Sequence, residues 1–153
     1  MWQNAHDAYI ESRIYSADPV ELIRLLYQAG IASLRDARRH LANRDIVARA
    51  RAISKAGRIL AELTTSLDHE RGGKISRGLA RLYDYMSRRL IEANLQQADG
   101  PLEEVLGLMS TLAEGWEGLQ TAAKEEPRAA SPWAQSPFSD PAPSYESRIA
   151  VSF

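Results

Sequence analysis

The 153-residue chain contains no cysteine, which excludes a disulfide scaffold, a thiolate metal site and a cysteine nucleophile. It also lacks any apolar run near the roughly 20 residues that a membrane-spanning helix needs. Its first residues show neither the basic nor the apolar region of a secretory signal. These absences, with a length that suits one core, predict a cytoplasmic protein of one domain without membrane insertion.

Catalytic and cofactor-binding motifs are missing too. The sequence has no Glu-x-x-His pair of a di-iron bundle, no phosphate-binding loop and no nucleophile elbow. Its three histidines, His6, His40 and His69, are far apart in the chain. Asp68 and Glu70 flank His69, but a solvated turn explains this triplet better than a metal site does. We therefore expect no enzyme activity, cofactor or metal; a metal-dependent enzyme is the alternative, which bound iron or zinc would reveal.

Proline is sparse before residue 127, and its placement divides the chain. Pro19 and Pro101 each open a long segment with apolar residues at three- and four-residue spacing, and no proline lies inside these segments. Asp18 followed by Glu21 is a capping-box pattern, which predicts the start of a first helix. We expect this helix to end near Ala42.

Three further segments have the apolar period of a bundle helix. A second helix follows Asp45, and the pair Gly72-Gly73 predicts where a helix stops. A third helix then runs to about Gln97, and a fourth begins at Pro101. The predicted core seams are Ile46, Ala50, Ile53, Gly57, Leu60, Leu63 and Leu67; Ile75, Leu79, Leu82, Met86, Leu90 and Ala93; and Leu102, Val105, Met109, Leu112, Trp116 and Leu119. Short loops between such helices favour an all-α, antiparallel up-down four-helix bundle over residues 18–126.

Two segments lie outside this predicted bundle. Residues 1–17 form an N-terminal arm that contains several aromatic residues, and residues 127–153 form a tail with five prolines and six serines that we expect to be disordered. The tail ends in the apolar stretch 149–153. One hypothesis is that this stretch docks into an empty groove of the bundle; the simpler interpretation is a dispensable tail.

Positive charge is concentrated in the middle of the chain. Residues 35–89 contain 14 lysines and arginines against 6 acidic residues, although the whole chain has a net charge of −1. The basic residues of the two middle helices that could follow a phosphate backbone are Arg49, Arg51, Lys55, Arg58, Arg71, Lys74, Arg77 and Arg81. A nucleic-acid-binding regulator is therefore an alternative function, while an ordinary solvated face is the simpler interpretation.

The first helix carries more apolar residues than a bundle core requires. Between Val20 and Ile31 they surround nearly the whole helix, whereas a bundle helix needs an apolar stripe only a little over 100° wide. Such a helix is expected to be buried on a second side by an oligomer or by another chain; the alternative is that the wide apolar face simply fills a large core. A groove that accepts an amphipathic helix from a partner is the function that this surface favours.

Three sequence motifs resemble one known family. The strongest spans residues 67–75, LDHERGGKI, and residues 82–94, LYDYMSRRLIEAN. Ala8-Tyr9 ahead of residues 16–27 is the second, and residues 103–108 with Trp116 are the third. Together they cover residues 8 to about 119 and resemble the flagellar secretion chaperone family, FliS.

The resemblance implies a cytoplasmic export chaperone. Such a protein binds the C-terminal segment of flagellin one to one, prevents premature polymerisation and assists delivery to the gate of the flagellar type III export apparatus. Its N-terminal arm covers part of the groove when the groove is empty. The implied flagellin-binding residues are Tyr9, Ile14, Tyr15, Leu22, Leu26 and Tyr27. The residues expected to serve packing and framework hydrogen bonds are Tyr83, Tyr85, Arg88, Arg89 and Asn94.

Overall fold

Four long helices dominate the computed structural model, which describes residues 4–9 and 18–129, with side chains through residue 122. They are α1, Pro19–Ala42; α2, Ile46–Thr65; α3, His69–Gln96; and α4, Asp99–Ala129. Residues 4–9 are helical as well, and neither described stretch contains a strand. Connections of a few residues separate successive helices, as antiparallel packing requires. The predicted all-α four-helix bundle is confirmed.

Side-chain caps explain where the first two helices begin. Asp18 Oδ1 accepts the backbone N–H of Glu21 at 2.7 Å, and Pro19 occupies the first turn, where its missing N–H costs nothing. Asp45 Oδ1 accepts the N–H of Ala48 at 3.1 Å in the same way at the start of α2. Because these signals are local, the sequence predicted the bounds of α1 correctly.

The expectation that Gly72-Gly73 would stop a helix is wrong. Helix α2 ends earlier, at Thr65, and α3 begins at His69, because Asp68 Oδ1 accepts the N–H groups of Glu70 and Arg71, each at 3.1 Å. Gly73 then adopts φ +50° and ψ −122°, a conformation that glycine adopts without penalty. The glycine pair therefore kinks α3 near its start instead of ending a helix. The fourth helix also begins before its predicted start, at Asp99 instead of Pro101.

A single apolar core lies between the four helices, in the part of the chain up to Trp116. Its buried hydrophobic members are Tyr27, Leu34, Ala37, Ile53, Ala56, Ile59, Leu60, Leu63, Tyr83, Met86, Leu90, Ala93, Leu102, Val105 and Met109. Gly30 allows α1 and α4 to approach closely, since a Cβ placed there would lie 2.4 Å from Met109 Cε. The predicted seams thus supply most of the core.

Three large side chains of the predicted core are exposed instead. Ile46 is 55% exposed, Ile75 is 76% exposed and Leu119 is 68% exposed. Ile46 lies in the first turn of α2, and Ile75 follows the kink at Gly73. Helical periodicity alone does not identify such positions, because the spacing continues to the end of a helix whether or not a neighbouring helix covers it.

The predicted arm and tail fall mostly outside the described residues. Of the arm, only residues 4–9 are described. Helix α4 continues to Ala129, although the tail was predicted from residue 127. The rest of the tail, including its apolar end at 149–153, is outside the described part, so its predicted docking stays a hypothesis.

Candidate functional site

An apolar cavity opens at the end of the bundle where α1 and α3 begin. Its volume is about 360 Å³, which is within the range of roughly 300–1,000 Å³ typical of small-ligand pockets. The residues that line it come from α1, α3, α4 and the α2–α3 connection: Ile23, Tyr27, Ser66, Leu67, Asp68, Arg71, Gly72, Ile75, Ser76, Leu79, Tyr83 and Trp116. We refer to this feature as the cargo cavity.

Two buried tyrosines lie at the base of the cargo cavity. The hydroxyl groups of Tyr27 on α1 and Tyr83 on α3 are 2.6 Å apart and form a hydrogen bond. Burial raises the pKa of both hydroxyls above the ordinary tyrosine value, so both stay neutral at physiological pH. One hydroxyl donates and the other accepts, so each buried oxygen has a hydrogen-bond partner.

The kinked start of α3 forms one side of the cargo cavity. Ser76 is buried, and its Oγ donates a hydrogen bond to the backbone carbonyl of Asp68 at 2.9 Å. A Cβ on Gly72 would lie 1.8 Å from that Oγ, so only glycine fits there without displacing Ser76. The kink at Gly73 follows immediately and precedes Ile75. The glycine pair therefore shapes the cavity wall.

Two features of the wall suit a protein ligand. Ile75 lines the cavity but is 76% exposed, so its apolar side chain lacks a cover within the described structure. Trp116 Nε1 is buried and has no hydrogen-bond partner in the described part of the chain. An apolar side chain that entered the cavity would cover Ile75. The arrangement is suited to binding an apolar side chain.

The structure brings one of the six predicted flagellin-binding residues into the cargo cavity, namely Tyr27. Leu22 and Leu26 are half-buried on α1 without lining the cavity, and Leu26 packs against the core. Tyr9 is 60% exposed in the helical segment 4–9. The other two, Ile14 and Tyr15, lie outside the described residues.

The sequence did not identify several cavity residues as ligand contacts. Ile23 belongs to the surplus apolar stretch of α1 but was not selected from it. Ile75 and Leu79 were assigned to the core seam, and Trp116 likewise. The one signal available was the glycine pair before Ile75, which was interpreted as a helix stop.

The predicted framework residues lie along α3 and link it to the other three helices. Tyr83 contacts α1 through the tyrosine pair, and Asn94 Oδ1 accepts from Arg49 Nη2 of α2 at 3.4 Å. Arg88 pairs with Asp84 on α3 itself. The remaining two framework residues, Tyr85 and Arg89, contact α4.

Glu104 of α4 receives those two contacts. Tyr85 donates its hydroxyl to Glu104 Oε1, and Arg89 Nη2 donates to Glu104 Oε2 at 3.0 Å. Arg89 also bonds to Glu92 at 2.6 Å. These contacts, the Tyr85 hydrogen bond first, lower the pKa of the Glu104 carboxyl. Of the five framework residues, Tyr83 lines the cavity, and the other four form their polar contacts away from it.

At the other end of α1, an ion pair joins α1 to the start of α4. Arg38 Nε and Nη2 donate to the two carboxylate oxygens of Asp99 at 2.7 and 2.8 Å. This bidentate hydrogen bonding lowers the pKa of Asp99. The pair is part-exposed, so its contribution to stability is modest.

The described part of the chain contains neither a candidate metal site nor a candidate membrane span. No group of three or more histidine, aspartate or glutamate side chains within residues 4–9 and 18–122 could hold a metal ion, and this includes Asp68-His69-Glu70. No described helix is long and apolar enough to cross a membrane.

Known proteins resemble this chain over most of its length. The model of the family described as "Flagellar protein FliS" matches residues 2–123. A flagellar secretion chaperone FliS of Salmonella typhimurium is 43% identical over 115 residues, which are 74% of this chain and 85% of that protein. The chaperone FliSB of Pseudomonas aeruginosa is 39% identical over 72% of this chain and 87% of its own length. FliS of Bacillus subtilis is 32% identical, covering 80% of this chain and 92% of its own.

Proposed function

This chain belongs to the FliS family of flagellar secretion chaperones, and we propose that it binds the C-terminal segment of flagellin in the cytoplasm. The observation that carries the proposal is the cargo cavity, which pairs an apolar interior with the exposed Ile75 at its wall. Binding of an apolar side chain there removes apolar surface from water, at about 25 cal/mol per Å². The cavity therefore supplies binding free energy that offsets the ordering of a flexible segment.

We further propose that the bound segment is one that flagellin needs for polymerisation. Occupation of the cavity then keeps flagellin monomeric until the complex reaches the export gate. Tyr27 is the proposed contact that the cavity supports. Tyr9, Ile14, Tyr15, Leu22 and Leu26 stay predictions from the family resemblance.

Calorimetric titration with two forms of flagellin tests the proposal. Full-length flagellin should bind one to one, and a form without its last roughly 50 residues, about 75 Å of helix, should not bind. Equal affinity for both forms would place the interaction elsewhere on flagellin and refute the assignment to the C-terminal segment.

A pair of matched substitutions tests the site itself. Ile75→Asp places a carboxylate at the cavity wall, and we expect flagellin affinity to fall on the order of tenfold or more, because the charge must be desolvated on binding. Ile91→Asp is the control, since Ile91 is on the same helix, is also exposed and does not line the cavity. Ile75 is preferable to Leu26, because Leu26 packs against the core and its substitution would also destabilise the fold.

The two variants distinguish a loss of binding from a loss of folding. Both should keep the helical circular dichroism spectrum and melting temperature of the unmodified chain, because both side chains are exposed. If a folded Ile75→Asp variant bound flagellin as tightly as Ile91→Asp does, the cargo cavity would not be the binding site.

A further inference from the structure

A second surface, on the outer face of α2, combines exposed apolar side chains with cations. Ile46 and Val47 are 55% and 62% exposed in the first turn of this helix. They share a shallow depression with Arg51, Lys55 and Arg58. We call these five residues the α2 face. Adjacent exposed apolar side chains that are rimmed by polar residues mark interaction sites on folded domains.

The cations of the α2 face are not neutralised within the described structure. Arg51, Lys55 and Arg58 are exposed and form no ion pair with any residue of 4–9 or 18–122. No acidic residue occurs in the sequence from Ile46 to Ala61. By contrast, Arg88 and Arg89 on the neighbouring α3 are both paired with carboxylates. Positive charge is therefore left over on α2, as it also is at Lys74, Arg77 and Arg81 of α3.

A buried arginine adds to this positive charge. Arg49 is only 4% exposed, its Nε is buried without a hydrogen-bond partner, and its one recorded side-chain bond goes to the neutral amide of Asn94. No described carboxylate pairs with it. A buried charge is screened less by solvent than an exposed one, so its field adds to that of the α2 face.

Exposed apolar side chains are also found at the end of α3. The bond between Arg49 and Asn94 places the first turn of α2 beside the last turn of α3. Ile91 and Leu95, in the last two turns of α3, are strongly exposed, and Leu95 reaches 78%. Two helices thus present uncovered apolar side chains at the same end of the bundle.

We propose that the α2 face docks an acidic amphipathic helix of a second protein. Val47, Arg51, Lys55 and Arg58 recur at four- and three-residue spacing, so they form one stripe along α2 about 16 Å long. A complementary helix carries aspartate or glutamate at the same spacing, next to apolar residues that cover Ile46 and Val47. Charge complementarity selects this partner over a basic or neutral helix.

The mixture of side chains favours a protein helix over a nucleic acid. A phosphate backbone is bound by cations alone and leaves exposed isoleucine, valine and leucine uncovered. Stacking on single-stranded bases requires aromatic side chains, and the α2 face has none. The nucleic-acid alternative therefore becomes one of the outcomes of the test.

The α2 face is distinct from the cargo cavity. The cavity contacts Ser66 and Leu67, just beyond the C-terminal end of α2, whereas Ile46 and Val47 are at its N-terminal end. The 20 residues of α2 span about 30 Å. The α2 face ends at Arg58, about 12 Å along the helix before Ser66, so a helix docked on this face leaves the cavity open and the chaperone can hold a second partner together with cargo.

The test uses the full chain and a designed peptide of 18 residues as the probe. The peptide is an amphipathic helix with leucines along one stripe and glutamates beside them, and a second peptide has lysine at every glutamate position. Fluorescence anisotropy at about 0.1 M salt should show binding of the acidic peptide and at least tenfold weaker binding of the lysine peptide.

Two double variants with the same change in net charge locate the binding surface. R51E/K55E should weaken acidic-peptide binding on the order of tenfold. K74E/R77E changes exposed cations of α3 near the opposite end of the bundle and should change binding less than twofold. A third variant, V47S, should weaken peptide binding several-fold at unchanged net charge. All these side chains are exposed, so melting temperatures should stay near that of the unmodified chain.

Three results would overturn the proposal. Equal weakening by R51E/K55E and K74E/R77E would show that only net charge matters. Binding of a polynucleotide with a steep salt dependence, without binding of the acidic peptide, would assign the face to nucleic acid. Displacement of the peptide by saturating flagellin C-terminal segment would assign the face to the cargo. The first two results leave the proposed function at the cavity untouched.

Discussion

Three glycines on α3 should respond to alanine substitution with opposite signs. Gly73 has φ +50° and ψ −122°, which an L-residue adopts at a cost of about 1–3 kcal/mol. A Cβ at Gly73 would meet no atom within 4 Å, so this cost is purely one of backbone conformation. Gly78 is exposed in regular helix, with equally open space, and its replacement by alanine should stabilise by about 0.5–1 kcal/mol.

Substitution of Gly72 destabilises the fold by a different mechanism. A Cβ there would lie 1.8 Å from Ser76 Oγ and 2.8 Å from Ser76 Cβ. Ser76 must then move and give up its part-buried 2.9 Å hydrogen bond to the Asp68 carbonyl, which should cost about 0.5–1.5 kcal/mol. Gly72→Ala and Gly73→Ala should therefore both destabilise, one through a clash and the other through backbone strain.

Thermal unfolding followed by circular dichroism distinguishes the three variants. For a chain of this length, about 1 kcal/mol shifts the melting temperature by roughly 2–4 °C. Gly78→Ala should melt a few degrees higher than the unmodified chain, and Gly72→Ala and Gly73→Ala several degrees lower. A Gly73→Ala variant as stable as Gly78→Ala would show that α3 is not kinked at Gly73 in solution. The same kink shapes the cargo cavity, so Gly73→Ala should also weaken flagellin binding.

Two polar pairs give further predictions. Tyr27→Phe and Tyr83→Phe should each lower the free energy of unfolding by about 1–3 kcal/mol, because the remaining hydroxyl is buried without a partner. In urea unfolding, the double variant should lose clearly less stability than the sum of the two single variants. Additive losses would contradict the pairing. Arg38 lowers the pKa of Asp99, so their pair stabilises the fold above the unfolded pKa of about 3.9 and is lost as pH falls through the folded value. Arg38→Gln should therefore cost about 0.5 kcal/mol at pH 7, and this cost should shrink as the pH falls through the folded pKa of Asp99; a constant cost would contradict this reasoning.

Local signals allowed much of the fold to be predicted. The start of α1 depends on Asp18, Pro19 and Glu21, which lie within four residues of sequence, and the three predicted apolar seams locate most of the core. The motif in residues 67–94 likewise identifies the family from its residue pattern alone. These features are encoded within a few helical turns of one another.

The cargo cavity could not be predicted in the same way. Tyr27 was expected to line an open groove, but its position at the cavity base depends on a hydrogen bond to a residue 56 positions away. Whether Ile75 is core or surface depends on the backbone of Gly73, and a glycine pair has the same sequence whether it ends a helix or kinks one. Ile46 belongs to a regular seam but lies where no neighbouring helix covers it. Each of these outcomes is decided by tertiary contacts.

The Arg38–Asp99 pair gives α1 a direct polar contact with α4 away from the cargo cavity. Ile23, at the cavity, and Arg38 are 15 residues apart in the sequence, or about 22 Å along the helix axis. Near Arg38 the two helices share two hydrogen bonds, whereas near Ile23 the helix borders the cavity. Accommodation of a bulky guest should therefore spread the helices at the Ile23 end and leave the Arg38 end at its resting separation. A spin-label distance pair at each end would record this as a change at the first and constancy at the second.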